Sequence, residues 1–258
     1  MGILNLTPDS FSDGLPQASL QDFLSKAEQL ITDGAHIIDI GGESTRPNAD
    51  EVDLDEEKKR ILPFLEQFRK KHPEYPISLD SKKYDVVKAA LPYGIQVIND
   101  VSFMQDERIL SLANDANSYY VLMHSRGDSQ SMMQQTQYEQ GVAKGLQDEL
   151  GIKLKQIRLA GFPQDKLIID LGFGFAKTPK QCVELMESLS LWQQYELPLM
   201  LGISRKTFIQ EYTGPCEPLE RDNMTMQLTQ KAVQAGFQII RTHNVALTVK
   251  ELAIRGTK

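Results

Sequence analysis

Cysteine is nearly missing from this chain. Cys182 and Cys216 are its two thiols, with no CxxC and no companion metal-ligand spacing. That excludes a disulfide framework and a cysteine metal site, and the expected setting is the reducing cytoplasm. Basic charge is short as well. Lys and Arg number 28 against 35 Asp and Glu, a formal net charge of −7, which argues against nucleic acid because that partner needs a basic footprint. Small anionic substrates stay open, since local charge at a site can oppose the global sign. No apolar run approaches the ~18 residues of a membrane span, and no basic-plus-apolar leader precedes the first apolar segment. Neither membrane nor secretion is expected. The 258 residues, 41% of them hydrophobic, suffice for one large core, so a single domain over residues 1–258 is expected.

What the chain does have is one pattern written eight times: a short Ile/Leu/Val-rich run that ends in polar residues. It opens with GILNLTPDSFSDG and recurs in HIIDIGGESTRP (36–47), ISLDS (77–81), QVINDVS (96–102), YVLMHSRG (120–127), LIIDLGFGFAKT (167–178), LMLGISRK (199–206) and QIIRTHN (238–244). Continuous apolar runs of this length read as parallel strands buried on both faces. The segments between them have helical spacing: 19–33, 54–70, 106–116, 139–160, 180–195, 219–235 and 246–254, with the shortest crossover at 83–92. Pro63 predicts a kink or an early break in the second helix. Eight strands each returning through a helix make a (β/α)8 TIM barrel, whose usual length is ~250 residues. Catalytic groups of that fold sit at the C-terminal strand ends, which here carry Asn5, Asp39, Asp80, Asn99, His124, Asp170, Arg205, Lys206, Arg241 and His243. An enzyme is therefore expected. The polar loops 7–19 and 41–53 fit a functional role, because long irregular loops are uncommon in compact domains.

Each strand-end residue has a duller reading. A lone Asp often caps a helix, and His124 could serve core hydrogen bonds as well as a site. His36 and His72 carry no assigned role. Convergence is what matters: acids, amides and bases from six or more strands meet at one barrel mouth. GFGFAK (172–177) fits neither the nucleotide P-loop nor the dinucleotide fingerprint. Arg241 and His243 stand at alternate strand positions and so share a face, a pair suited to an anion.

Taken in order, MGILNLTPDSFSDG, GGESTRP, INDVS, DLGFGFAKT, GISRKTF and IIRTHNV resemble the successive signatures of the dihydropteroate synthases, pterin-binding barrel enzymes of folate synthesis. The resemblance runs from Met1 to about Val245. It implies condensation of 6-hydroxymethyl-7,8-dihydropterin diphosphate with p-aminobenzoate, giving 7,8-dihydropteroate and pyrophosphate. By position it implies a pterin pocket of Asp80, Asn99, Asp170 and Lys206, and a diphosphate grip of Arg241 and His243 with Asn5 on Mg2+. It places p-aminobenzoate, the target of sulfonamide mimicry, among Phe11, Thr45, Arg46, Pro47, Phe175 and Ser204. Lys206, Arg241, His243 and Asp80 would be the groups nearest the chemistry. A homodimer is implied by the same analogy.

The residue types make sense independently. A carboxylate such as Asp170 accepts two adjacent N–H donors, and an amide such as Asn99 both donates and accepts. Four positions depart from the family habit: Leu15 for a second glycine, Ser125 for Met, Leu171 in a usual Asp-Pro-Gly, and Asn244 for a frequent Asp. Two rival readings fit less well. A methyltetrahydrofolate–corrinoid methyltransferase would share Asp80, Asn99 and Asp170 but needs no diphosphate grip. A non-catalytic pterin-binding homologue would be expected to lose Lys206, Arg241 or Arg46, and all three are present.

Overall fold

A computed structural model describes residues 1–7, 18–44 and 49–253. Strands β1 (Gly2–Asn5), β2 (Ile38–Gly41), β3 (Ile77–Asp80), β4 (Val97–Asp100), β5 (Tyr119–Met123), β6 (Leu167–Asp170), β7 (Leu199–Leu201) and β8 (Ile239–Ile240) pair in parallel in sequence order. A parallel bridge between Gly2 and Thr242 joins the last strand to the first. The ring is closed by Ile3 N–H on Thr242 O (3.0 Å) and Thr242 N–H on Met1 O (3.0 Å). This is the (β/α)8 barrel expected from the eight apolar runs.

Helices α1 (Leu20–Thr32), α2 (Leu54–Lys71), α3 (Tyr84–Ala90), α4 (Glu107–Asp115), α5 (Val142–Leu159), α6 (Pro179–Glu187), α7 (Gln210–Thr213), α8 (Asp222–Gln234) and α9 (Val245–Ala253) surround the sheet. Two expectations need correction, and one helix lies outside them. Helix α2 runs unbroken through Pro63. Pro63 and Lys59, whose carbonyl loses its partner, both lie on the exposed face of the helix, where solvent is at hand to satisfy a missing bond. The segment expected as one helix over 180–195 divides at Ser188 into α6 and a 3₁₀ stretch, Leu189–Tyr195. Helix α7 carried no sequence signal. Among the described residues, no helix is long and apolar enough to cross a membrane.

Side chains alternate along each strand, and this explains why the apolar runs end in polar residues. Outward residues such as Ile38, Ile40, Leu79, Leu122 and Ile169 join the helices in the main core. Inward, Val97, Val121, Ile168 and Met200 form a separate cluster with Met1, Ile37 and Ile239. Two positions further along the same inward faces stand Asn99, Met123, Asp170, Gly202, Asp39 and Arg241. The barrel is therefore plugged with hydrocarbon below and lined with polar groups above.

The β6–α6 turn is held by an unusual staple. Lys177, 1% exposed, donates to the carbonyls of Gly172 (3.0 Å) and Phe175 (2.9 Å) and lies 2.9 Å from His124 Nδ1. With Lys177 as an ammonium, Nδ1 accepts and Nε2 carries the hydrogen toward Glu149 (3.1 Å). Burial, helped by the Lys177 charge, holds His124 down at about 3, and burial takes Lys177 down to about 7. Gly172 sits at φ +64°, and a Cβ there would lie 1.9 Å from the His124 carbonyl oxygen. Gly172→Ala is thus expected to cost at least about 2 kcal/mol in urea denaturation, from backbone strain and the clash together. A wild-type midpoint would mean that the turn shifts freely and that this close approach constrains nothing.

Candidate active site

At the C-terminal mouth, Asn5, Gly41, Asp80 and Asn99 are neighbours in register on β1 to β4. Gly41 brings no side chain to that layer. Arg241, just past β8, uses the opening: its Nε donates to Asp39 (2.6 Å) and an Nη to Asp80 (2.7 Å). Asn99 reaches the other Asp39 oxygen at 3.5 Å. Burial pulls the Arg241 guanidinium down, but Asp39 and Asp80 outweigh it and hold it charged above its ordinary value. Burial pushes Asp80 up, against the opposing pull of Arg241. Two buried acceptors, Asp80 Oδ1 and Asn99 Oδ1, have no hydrogen-bond partner among the described residues. Such groups are rare in native structures and costly unless something donates to them.

Across the mouth, Asp170 accepts from the Gly172 N–H (2.8 Å) through one oxygen. Burial raises its pKa and the charge of Lys206 opposes the rise. Lys206 donates to Phe173 O (2.5 Å) and stands 4.5 Å from the Phe175 ring centroid. Its own pKa falls to about 8 through burial, with Asp170 pulling the other way. Phe175 packs with Val101, Met123 and Met132. His243 and Ser204 are joined: the His243 N–H donates to Ser204 Oγ (3.1 Å), and Nδ1 lies 2.9 Å from it.

The structure thus gathers Asn5, Asp80, Asn99, Asp170, Lys206, Arg241, His243, Phe175 and Ser204 around one mouth. Phe11, Thr45, Arg46 and Pro47, and with them Leu15, lie outside the described residues. Arg241 was expected to grip an anion beside His243, yet it is committed to two carboxylates. Arg205 turns away, with a two-point ion pair to Asp222 (2.7 and 2.8 Å). Asn244 donates to the same Asp222 (2.8 Å), so an aspartate here would repel it; that accounts for the departure at this position. The part of Asp39 was not anticipated: a strand-end acid gives no sign of which cation it meets. Lys177 was likewise missed, because its partners are carbonyls that no residue pattern marks.

Comparison with known proteins bears on the family and the fold. The family described as "Pterin binding enzyme" matches residues 1–243. The chain is 38% identical over 252 residues to a dihydropteroate synthase of Staphylococcus haemolyticus, covering 97% of this chain and 91% of that one. It is 38% identical over 249 residues to the folic acid synthesis protein fol1 of Schizosaccharomyces pombe, covering 95% of this chain and only 34% of that longer protein. Among solved structures, a Xanthomonas albilineans dihydropteroate synthase with 4-aminobenzoic acid superposes with a TM-score of 0.90 at 34% identity, over 98% of this chain and 90% of that one.

The Asp39–Arg241–Asp80 arrangement makes a stability prediction. Arg241→Met keeps the volume but leaves two buried carboxylates without their cation. Removing one partner of a buried ion pair costs about 3–5 kcal/mol, and urea denaturation should show a loss of that order. A loss no larger than a surface change would mean that the two acids are satisfied elsewhere.

Proposed function

The chain belongs to the family of pterin-binding enzymes, and on that footing we propose how its barrel mouth performs the dihydropteroate synthase reaction. It is a transferase: the p-aminobenzoate nitrogen bonds to the CH2 carbon of 6-hydroxymethyl-7,8-dihydropterin diphosphate. The C–O bond to diphosphate breaks, its electron pair leaves with pyrophosphate, and the amine gives up a proton. The observation that carries this reading is the pair of buried, unpartnered acceptors, Asp80 Oδ1 and Asn99 Oδ1, in one ring with Asp170 and Lys206.

A pterin edge presents adjacent N–H donors, which suits these acceptors and the carboxylate of Asp170. Lys206 supplies donors to ring oxygen or nitrogen, and Phe175 provides an apolar wall. Sites built of buried polar groups reject analogues that leave them unpaired by roughly 10⁴–10⁵-fold. Held so, the ring keeps its CH2 carbon facing the incoming arylamine, and positioning replaces a nucleophilic side chain. Phe11, Thr45, Arg46, Pro47 and Ser204 complete the aminobenzoate side in this reading.

The leaving group meets Arg241 and His243. Arg241 already faces two acids, so the ring of Asp39, Asp80 and Asp170 against Arg241 and Lys206 offers a diphosphate no excess of positive charge. A divalent cation bound with the diphosphate would resolve this. Among the described residues no group of three or more His, Cys, Asp or Glu could hold a metal by itself. That fits Mg2+, which takes one or two protein oxygens and completes its shell with phosphate and water. Asn5 would supply a protein oxygen, and the ion would offset charge building on the departing diphosphate. A homodimer in the cytoplasm completes the proposal.

Pyrophosphate release from the pterin diphosphate should rise on adding p-aminobenzoate, with 7,8-dihydropteroate as product. Release that ignores p-aminobenzoate at saturating pterin would overturn the synthase reading. Asp170→Asn exchanges one acceptor of a two-donor edge for a donor, a mispairing worth about 1–3 kcal/mol or more. Pterin affinity by calorimetry should fall at least in proportion. Wild-type affinity would take Asp170 out of the pocket.

A further inference from the structure

Lys83 lies just beyond β3 and touches none of the groups assigned above. An ammonium has three hydrogens, and all three are engaged. One goes to the Glu43 carboxylate, one to Glu57 (2.7 Å) and one to the Val52 carbonyl. Glu57, in the first turns of α2, is buried and also accepts from Ser81 Oγ (2.8 Å). Glu43 is buried too, and Lys82 adds a second cation at 3.2 Å. Burial draws the Lys83 pKa down, but its bonds to Glu43 and Glu57 more than offset this and leave it raised. The charge is therefore permanent across the working pH range.

Two of the three partners are the roots of one loop. Glu43 leaves β2, Val52 enters α2, and the chain between them includes Thr45, Arg46 and Pro47. A simple anchor for α2 would be complete with Glu57 alone. Holding Glu43 and the Val52 carbonyl adds nothing to the core of that helix; it brings both ends of the loop onto one point. Further along the same loop, the Ala49 carbonyl accepts from Ser129 Oγ (3.1 Å) and Gln130 Nε2 (2.9 Å), which belong to the segment after β5. The Gly42 carbonyl accepts from Arg60 (2.9 Å). The loop is thus tied down on both sides of residues 45–47.

We propose that Lys83 is a positioning residue for the second substrate: by clamping Glu43 to Val52 it fixes where the chain leaves β2 and where it enters α2, the two ends of the stretch assigned to p-aminobenzoate. The proposal rests on the assignment of that loop under the function proposed above. Lys83 touches neither substrate. Its effect is on how often those two ends are held together, and apparent affinity falls in proportion to that fraction.

The test compares wild type, Lys83→Met and Glu43→Gln. Glu43→Gln keeps the Lys83–Glu57 anchor of α2 intact, so it serves even if Lys83→Met fails to fold. If releasing the clamp leaves the two ends together in about a tenth of molecules, the KM for p-aminobenzoate rises about tenfold. The KM for the pterin diphosphate, and pterin affinity by calorimetry, should stay at wild type. Hydrogen exchange of the backbone between residues 43 and 52 should quicken in both variants, a readout that needs no activity. Both KM values moving together, or neither moving, would overturn the proposal, as would unchanged exchange. A wild type that ignores p-aminobenzoate while exchange still quickens in the variants would instead sink the functional assignment and leave the clamp as a loop device.

Discussion

The barrel depends most on one guanidinium. Strand β8 has two residues, Ile239 and Ile240, and its junction to β1 is a single bridge between Gly2 and Thr242. Backbone pairing is thinnest at this seam. Arg241 follows β8 directly and reaches over β1 to Asp39 on β2 and Asp80 on β3. A buried ion pair that merely broke even against desolvation would be weak evidence for stability. Here the same pair is the side-chain tie across the weakest edge of the ring, and its acids also line the mouth. Closing the fold and polarising the site are the work of one set of charges.

Much of this was legible in the residues because the strand period is two. A buried strand must put hydrocarbon on its outer face throughout, and on its inner face until the barrel opens. Val97 then Asn99, Ile168 then Asp170, and Ile239 then Arg241 each mark that change of medium within one strand. The barrel and most of its mouth follow from the pattern. Elements whose stability is decided elsewhere left no trace. Pro63 does not break α2, where it and Lys59 lie on the exposed face, and Ser188 ends α6 where periodicity alone would continue it. Lys177 and Lys83 carry no mark in the sequence: Lys177 is held largely by backbone carbonyls, which no residue pattern encodes, and Lys83 by groups from other parts of the chain.

The departures from the family habit find physical settings. Leu171 is fully buried in the main core, so the residue that replaces a rigid turn former contributes packing. The turn is held instead by the Gly172 N–H on Asp170 and by Lys177 on its carbonyls. Asn244 relieves what would be a clash of two acids at Asp222. Ser125 is buried beside Phe175 and Met132 in a cavity of about 30 Å³; nothing in the structure explains why a small polar residue stands there.

The seam also bears on how the molecule comes to exist in time. Residues 2 and 242 are bonded neighbours, so the first strand cannot complete its pairing until nearly all of the described chain is available. Contacts of such long sequence separation must overcome their closure entropy before anything rewards them, and they slow folding. Until then β1 and β8 each present a bare edge, and bare parallel edges invite association with other chains. Ring closure is the step at which this molecule passes from adhesive to self-contained, and the salt bridge of Arg241 is its latch.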